Sequence, residues 1–429
     1  MIERILSRNF RKTLRAIFRD ISTYQKREEN ERLKLDEARI MRDLSESIIP
    51  HPTNQPLEED YLVAAIDGSG SPDFVVINDI RIHLFTSATV VFHTGTRDGR
   101  LFHEINPVEL SEALGTGQPR IDFHWHTGVK EDTLTKVAET IAHFYPVKFE
   151  DLILPFFRDW LGQDDLNSFE NLGETEYGPY VNELSDLRSL LSRAPALTNA
   201  AIHDELRKVF EYDAARRLIE SKFKPRYLLL DGSLSIFTHL MRKYPTMPSG
   251  FILRHLLELA RKKGVIVCAI SKNHTVPAAH QIARAVRKKS GGSKWFCFLP
   301  SKREPGGELH IYENRTYIPP ILAVSYLFSF SDENRPSRVD FDRVWWEKHV
   351  LDTDSETMKE KAKLVFRDLE FMSRDARWYG YPVPLGVAHE RCVLRRDDLR
   401  MAREIARGLI RNVGLDSGKL DPLREDYNM

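Results

Sequence analysis

Runs that are apolar on consecutive positions alternate along this chain with runs that are apolar at helical spacing. That alternation is the signature of a sheet covered on both faces by helices. The strongest run is Arg226-Tyr-Leu-Leu-Leu-Asp-Gly-Ser-Leu234, where large residues lead straight into an acid, a glycine and a hydroxyl. Tyr61-Leu-Val-Ala-Ala-Ile-Asp-Gly-Ser69 has the same form, and Val265–Ser271 is a third apolar strand that ends at Lys272. After the first strand we expect a Gly-Ser-Gly-Ser-Pro turn, then strands at Phe74–Ile77 and Ile80–Phe92. Lys294–Phe330 alternates as further strands.

The helical pattern begins within residues 1–47, where Phe10, Leu14, Ile17 and Ile21 repeat at helical spacing, and Pro50, Pro52 and Pro56 end it as a linker. Residues 100–200 are mixed and mostly helical, with Lys130–Phe144 and Val181–Ser192 the clearest stretches. A long helix at about Ala200–Lys222 leads into the Asp231 strand and carries the acids Asp204, Glu205, Glu211, Asp213 and Glu220. Leu234–Lys243, Gly250–Lys263 and Lys359–Arg377 also have helical patterns. In a last helix, about Asp397–Val413, Leu399, Ala402, Ala406, Leu409 and Val413 lie on one side. Arg396, Arg400, Arg403, Arg407 and Arg411 run along another, and Arg4, Arg8, Arg11, Arg15 and Arg19 form a similar row near the N-terminus.

At 429 residues the chain can bury a large core, and length alone allows two or three domains. Lys plus Arg and Asp plus Glu both number 63, so no global charge announces a partner and the local arginine rows must carry that argument. Cys268, Cys297 and Cys392 are widely spaced and form no CxxC pair, which argues against a disulfide framework or a thiolate zinc site and fits a reducing compartment. No apolar run approaches a membrane span and no signal-peptide block is visible, so the expectation is a soluble, cytoplasmic protein.

Asp-Gly is a common turn pair, so Asp67 and Asp231 could each mark only the end of a strand. Two such pairs on two buried strands suggest more. If the strands are parallel neighbours, both carboxylates project from the edge of the sheet where α/β proteins place their sites. Two acids held together repel, and a divalent cation between them relieves the repulsion. His124 and His126 flank Trp125 and share one strand face, as a metal pair or as two ordinary histidines.

Taken in order, the motifs AAIDGSG, LLLDGSL, VCAISK and YPVPLGVAHE resemble the NurA family of DNA repair nucleases, over about Tyr61 to Arg411. The resemblance implies an α/β fold with an RNase H-like mixed sheet flanked by helices, and a dimer that works with the hexameric HerA-type ATPase. Residues 1–58 would then be an N-terminal helical arm and linker, 59–415 the nuclease domain with a largely helical insertion at about 100–200, and 416–429 a C-terminal tail. It also implies a catalytic and metal-ligating set of Asp67, Asp231, a glutamate from the preceding helix, and His389. Glu211 is the choice for the glutamate, with Glu205 as runner-up. Lys272 would contact phosphate, and Ser69 and Ser233 of the two Asp-Gly-Ser units would contact substrate.

Phosphodiester cleavage needs a deprotonated water and a stabilised leaving oxyanion. Two divalent ions among carboxylates supply both. A histidine among the acids shifts preference from Mg2+ toward Mn2+, or else serves as a proton shuttle. Arg396, Arg400 and Arg403, the cluster Arg284, Arg287, Lys288 and Lys289 beside Gly291 and Gly292, and Lys294, Lys302 and Arg303 could line a groove for the DNA backbone. Trp378, Tyr379 and Tyr381 could stack on unpaired bases. A 5′→3′ exonuclease with single-strand endonuclease activity is the implied function. The rival readings are a non-catalytic DNA-binding or scaffold subunit of a motor, and an actin- or sugar-kinase-like ATPase. The latter lacks its glycine-rich second phosphate loop here, because Ser-Leu-Ser-Ile-Phe-Thr follows Gly232.

Overall fold

The structure, a computed structural model, describes residues 15–20, 22–23, 48–51, 60–95, 102–161, 166, 168–173, 178–193, 197–234, 240–241, 244–245, 247–272, 279, 282–283, 286, 294–299, 322–330, 336–351, 355–378 and 380–414. The chain forms two compact units. One comprises Met1–Thr53, His274–Arg315 and Tyr326–Pro336. There Ile48–Pro50 pairs antiparallel with Trp295–Leu299, whose Trp295 and Phe296 are buried. The other unit comprises Asn54–Asn273, Thr316–Ser325 and Ser337–Met429, and it contains Asp67, Glu211, Asp231, Lys272, Tyr381 and His389.

In the second unit the main strands are β1 (Leu62–Ile77), β2 (Ile80–His93), β3 (Arg120–His126), β4 (Tyr227–Asp231), β5 (Ile266–Ser271) and β6 (Ser337–Asp342). β4 lies parallel to β1 on one side and parallel to β5 on the other. β1–β2, β2–β3 and β5–β6 are antiparallel, so the sheet is mixed. The consecutive apolar residues of β4 are explained by burial on both faces: Tyr227, Leu228 and Leu229 are fully buried. Ala64, Ile66, Leu228 and Leu230 share a core with Ile141 and Phe144 of α1 (Lys130–Phe144), with Leu206, Val209 and Phe210 of α2 (Asn199–Glu220) and with Leu253 and Leu256 of α3 (Pro248–Lys263). Successive strand residues point to opposite faces. Gly68 faces Glu211 of α2 while Asp67 meets His389 and Cys392 of α4 (Val383–Cys392). The helices α2 and α4 therefore cover opposite faces of β1.

Four elements differ from the pattern. Gly68-Ser-Gly-Ser71 is not a turn: β1 runs unbroken to Ile77, pairing Gly70 with Phe85 and Ser71 with Leu84, and shifts register between Ser71 and Val75. The small residues keep the pairing close, and a bulge with Asp73 at φ 52° absorbs Pro72; the turn itself falls at Asn78-Asp79. Within the expected helix 234–243, Leu240–Met241 pairs instead with Tyr244–Pro245, because the residue before a proline is pushed to extended conformation. In region 100–200, Arg120–His126 joins the main sheet along β2 rather than an appended helical body. On the last helix, α5 (Arg396–Asn412), the stripe that packs on Phe74, Val75 and Ile77 is Leu399, Ala402, Ala406 and Ile410, whereas Leu409 and Val413 are exposed. Of the expected N-terminal helix, residues 15–20 and 22–23 are helical, and the rest lies outside the described residues.

Candidate metal and active site

Parallel pairing of Ile66 with Leu230 sets Asp67, within β1, beside Asp231, at the end of β4. Asp67 is buried, and its Oδ2 accepts hydrogen bonds from His389 Nδ1 at 2.7 Å and from Cys392 Sγ at 3.4 Å. The strand–helix geometry explains the pairing of ligands. His389 and Cys392 are three residues apart, one turn of α4, so both reach the same carboxylate. One ligand atom of each of these three side chains lies within 4.8 Å of the others.

Glu211 enters from the opposite face. A Cβ on Gly68 would lie 2.4 Å from both Cγ and Oε1 of Glu211, so glycine is what lets this side chain lie against the strand. Arg207, one helical turn earlier, donates from Nη1 to Glu211 Oε1 at 2.5 Å and to the Gly68 carbonyl at 3.2 Å. Burial, aided by Asp67 and Asp231, pushes Glu211 up to about 8, against the pull of Arg207. Asp231 is also raised by burial and by Asp67, while the Tyr381 hydroxyl, His389 and Lys272 act the other way. Two carboxyl groups raised by burial and by the neighbouring Asp67, beside an imidazole, form a donor set suited to a hard divalent cation such as Mn2+ or Mg2+. Asp67 and His389, with Cys392, bring three ligand atoms together, and Glu211 and Asp231 lie near enough to feel the Asp67 charge.

The other acids of α2 are engaged elsewhere. Glu205, the runner-up ligand, turns toward α3, where it accepts from Ser249 N at 2.6 Å and Ser249 Oγ at 2.7 Å. Asp213 is buried among Arg120, Arg216 and Arg217. Tyr381 is not an open stacking surface: it is buried, and its hydroxyl donates to Asp231 Oδ1 at 2.6 Å. Lys272 Nζ sits 3.8 Å from the centre of the Tyr381 ring and 5.7 Å from that of Trp378, and burial lowers its pKa against the pull of Asp231. Ser233 is turned toward β6, where it donates to Asp340 Oδ2 at 2.5 Å. Ser69 lies two residues beyond Asp67 on the same strand face, opposite Thr86. Arg396 and Arg400 are exposed on α5, while Arg403 is partly taken up by the Phe74 carbonyl, 3.0 Å from its Nε. Tyr379, Arg284, Arg287, Lys288, Lys289, Gly291, Gly292, Lys302 and Arg303 lie outside the described residues, as do Arg4, Arg8 and Arg11.

Sequence reasoning passed over Arg207 and Cys392. Arg207 had a visible signal, its i, i+4 spacing to Glu211. Cys392 had only its place three residues after His389, and nothing local says that a cysteine will face an acid 325 residues away.

No family model and no curated protein matches the sequence. Among solved structures, the chain is similar to the NurA nuclease from Sulfolobus solfataricus at 13% identity and TM-score 0.47, over 95% of this chain and 98% of that one. It is also similar to NurA bound to dAMP and manganese, at 13% identity and TM-score 0.36, over 94% and 98% of the two chains. A third is Ciona intestinalis endonuclease V in complex with inosine-containing DNA, at 10% identity and TM-score 0.26 over 88% and 98%. NurA is the family that the four motifs resemble. Among the described residues, no helix is long and apolar enough to cross a membrane.

Proposed function

We propose that the protein is a metal-dependent DNA nuclease that hydrolyses phosphodiester bonds in DNA end processing, repair or defence. The observation that carries this reading is the pairing of Asp67 with His389 beside Asp231 on two neighbouring parallel strands, with Glu211 near enough to feel both acids. Asp67, Glu211, Asp231 and His389 would hold Mn2+ or Mg2+, as a pair of ions. When bound, the cations supply an activated water and charge stabilisation at the leaving oxygen.

The chain's own residues prepare this chemistry. Asp67 orients His389 through Nδ1, which leaves Nε2 as the nitrogen for a ligand bond or for proton delivery. Tyr381 fixes Asp231, and Arg207 holds Glu211 against the strand. Lys272, at the end of β5 beside Asp231, is the cation for a substrate phosphate. Ser69 and the exposed Arg396 and Arg400 extend the phosphate-binding track away from the acids, with Arg403 a weaker contributor.

The motif resemblance supports the finer reading: an RNase H-like nuclease domain at 59–415, 5′→3′ exonuclease and single-strand endonuclease activity, and a cytoplasmic homodimer acting with a HerA-type ATPase. End-labelled single- and double-stranded DNA, incubated with wild type, Asp67→Ala and Asp231→Ala in Mn2+, Mg2+ or EDTA, tests the core of it. Cutting by wild type alone, and only with a cation, is the expected outcome. Near-wild-type cutting by either variant would remove the site assignment. No cutting, even with the ATPase added, would leave a DNA-binding scaffold.

A further inference from the structure

Away from the carboxylates, four histidines meet in the interior. His83 comes from β2, His124 and His126 from β3, and His203 from α2, and all are buried. Ring centres are 5.2 Å apart for His83–His126, 5.6 Å for His124–His126, 5.9 Å for His83–His124 and 5.6 Å for His83–His203. Imidazoles sharing one tetrahedral ion at the usual metal–nitrogen distance have centres about 5.2 Å apart. His83–His126 matches this, while the other three separations are wider and no three of these rings yet bring ligand nitrogens within 4.8 Å of one another, so the other rings must turn inward to share an ion.

The hydrogen bonds assign the protons. His126 Nδ1 faces the Thr127 carbonyl at 2.8 Å and so donates, which leaves Nε2 as a bare lone pair. His83 Nε2 lies 3.1 Å from that lone pair, near the roughly 3.4 Å between two nitrogens of one tetrahedral ion. His124 Nδ1 meets Thr140 Oγ1 at 2.7 Å, and this hydroxyl already donates to the Lys136 carbonyl, so His124 Nδ1 is again the donor and Nε2 the bare nitrogen. His124 Nε2, His83 Nδ1 and His203 Nδ1 are all buried without a hydrogen-bond partner. Of these, His124 Nε2 and His203 Nδ1 are the orphaned nitrogens that a ligand accepting lone pairs would take up. The ring of His203 has room there because residue 70 is glycine; a Cβ would lie 2.8 Å from His203 Cε1.

We propose that His83, His124, His126 and His203 form a structural site for a zinc-class ion, separate from the carboxylate site. Neutral imidazoles suit Zn2+ or Co2+ far better than Mg2+ or Mn2+. Binding moves the His83 proton from Nε2 to Nδ1, with no net proton release, and turns the His124 and His203 rings about their Cβ–Cγ bonds. Thr127 and Thr140 remain the outer partners of His126 and His124. The ion ties β2, β3 and α2 together about 12 Å along α2 from Glu211, eight residues at 1.5 Å each. That gives the strand supplied by region 100–200 a purpose: it anchors the helix that delivers Glu211.

The test uses full-length protein freed of metal with EDTA and dialysed, in an Asp231→Asn background that disables the carboxylate site. Titration with Co2+ should give one equivalent with the intense visible absorption of tetrahedral coordination, displaced by Zn2+ and absent in His126→Gln. Folded protein without that absorption, or a band unchanged by His126→Gln, overturns the proposal. If His126→Gln does not fold, X-ray absorption of Zn2+-loaded protein decides: a nitrogen-only shell with imidazole scattering supports the site, and an oxygen shell refutes it. Since none of these readouts is cleavage, failure of the nuclease reading and failure of this one are distinguishable.

Discussion

Replacing Gly68 by alanine should damage the site without damaging the fold. The added Cβ would lie 2.4 Å from Glu211 Cγ and Oε1 and 2.7 Å from Cδ. Carbon atoms need about 3.5 Å, so the carboxylate must retreat by about 1 Å. It is the end of a flexible side chain, so it will yield before strand or helix does, and Arg207, bound to both Glu211 and the Gly68 carbonyl, will shift with it. A misplacement of about 1 Å can cost about 100-fold in rate, close to 2.7 kcal/mol of transition-state stabilisation. The control is Gly232→Ala in the other Asp-Gly pair. There a Cβ meets nothing within 4 Å, but φ is +103°, so the cost is backbone strain of roughly 1–3 kcal/mol in stability. Mn2+-dependent cleavage of labelled single-stranded DNA, thermal melting and Mn2+ titration should therefore separate the two: Gly68→Ala slow and weak in metal but normally stable, Gly232→Ala less stable but active. A Gly68→Ala protein that cleaves within a few-fold of wild type would refute Glu211 as a ligand.

Glu205→Ala should do the reverse, costing about 1–3 kcal/mol in melting experiments by stranding the Ser249 donors, with Mn2+ affinity unchanged; loss of cleavage in a folded variant would make Glu205 the ligand after all. Tyr381→Phe removes the hydroxyl bonded to Asp231 and should weaken Mn2+ binding about 10-fold and move the acid limb of activity to higher pH, since that hydroxyl favours the charged carboxylate. Because protons and cations compete for Glu211, Mn2+ affinity should climb as pH rises toward about 8 and then level off. In EDTA the same raised pKa acts on stability: the folded state binds more protons than the unfolded one, so its contribution is complete below the ordinary carboxylate range and lost as pH rises through about 8, a loss that Mn2+ should cancel. The buried His83, His124 and His203, lowered by burial to about 4, 3 and 4, act oppositely and should make the protein acid-labile as pH falls below the ordinary histidine range. Melting temperatures that stay flat from pH 4 to 9 with and without Mn2+ would contradict both assignments.

What the sequence determined by itself was local and periodic. Apolar residues on consecutive positions mark β4 and β5 as strands because each is buried on both faces, and Asp231 marks the end of β4, whereas Asp67 lies inside β1, whose continuation to Ile77 the Asp-Gly pair did not reveal. The helical spacings of Pro248–Lys263 and Arg396–Asn412 were legible for the same reason, each having one face on the core. The tertiary structure decided what periodicity does not encode. α2 packs on both the sheet and α3, so it is buried around most of its circumference, acids included, and its pattern does not say which acid faces the strand. Glu205 and Glu211, six residues apart, point about 120° away from each other, one to Ser249 and the other to Gly68. Likewise the partners of His124 and His126 come from positions 83 and 203, and only the pairing of β2 with β3 beneath α2 brings the four rings together. Contacts across such separations depend on strand register and helix rotation, which are set by how the whole core packs rather than by any residue's neighbours in the chain.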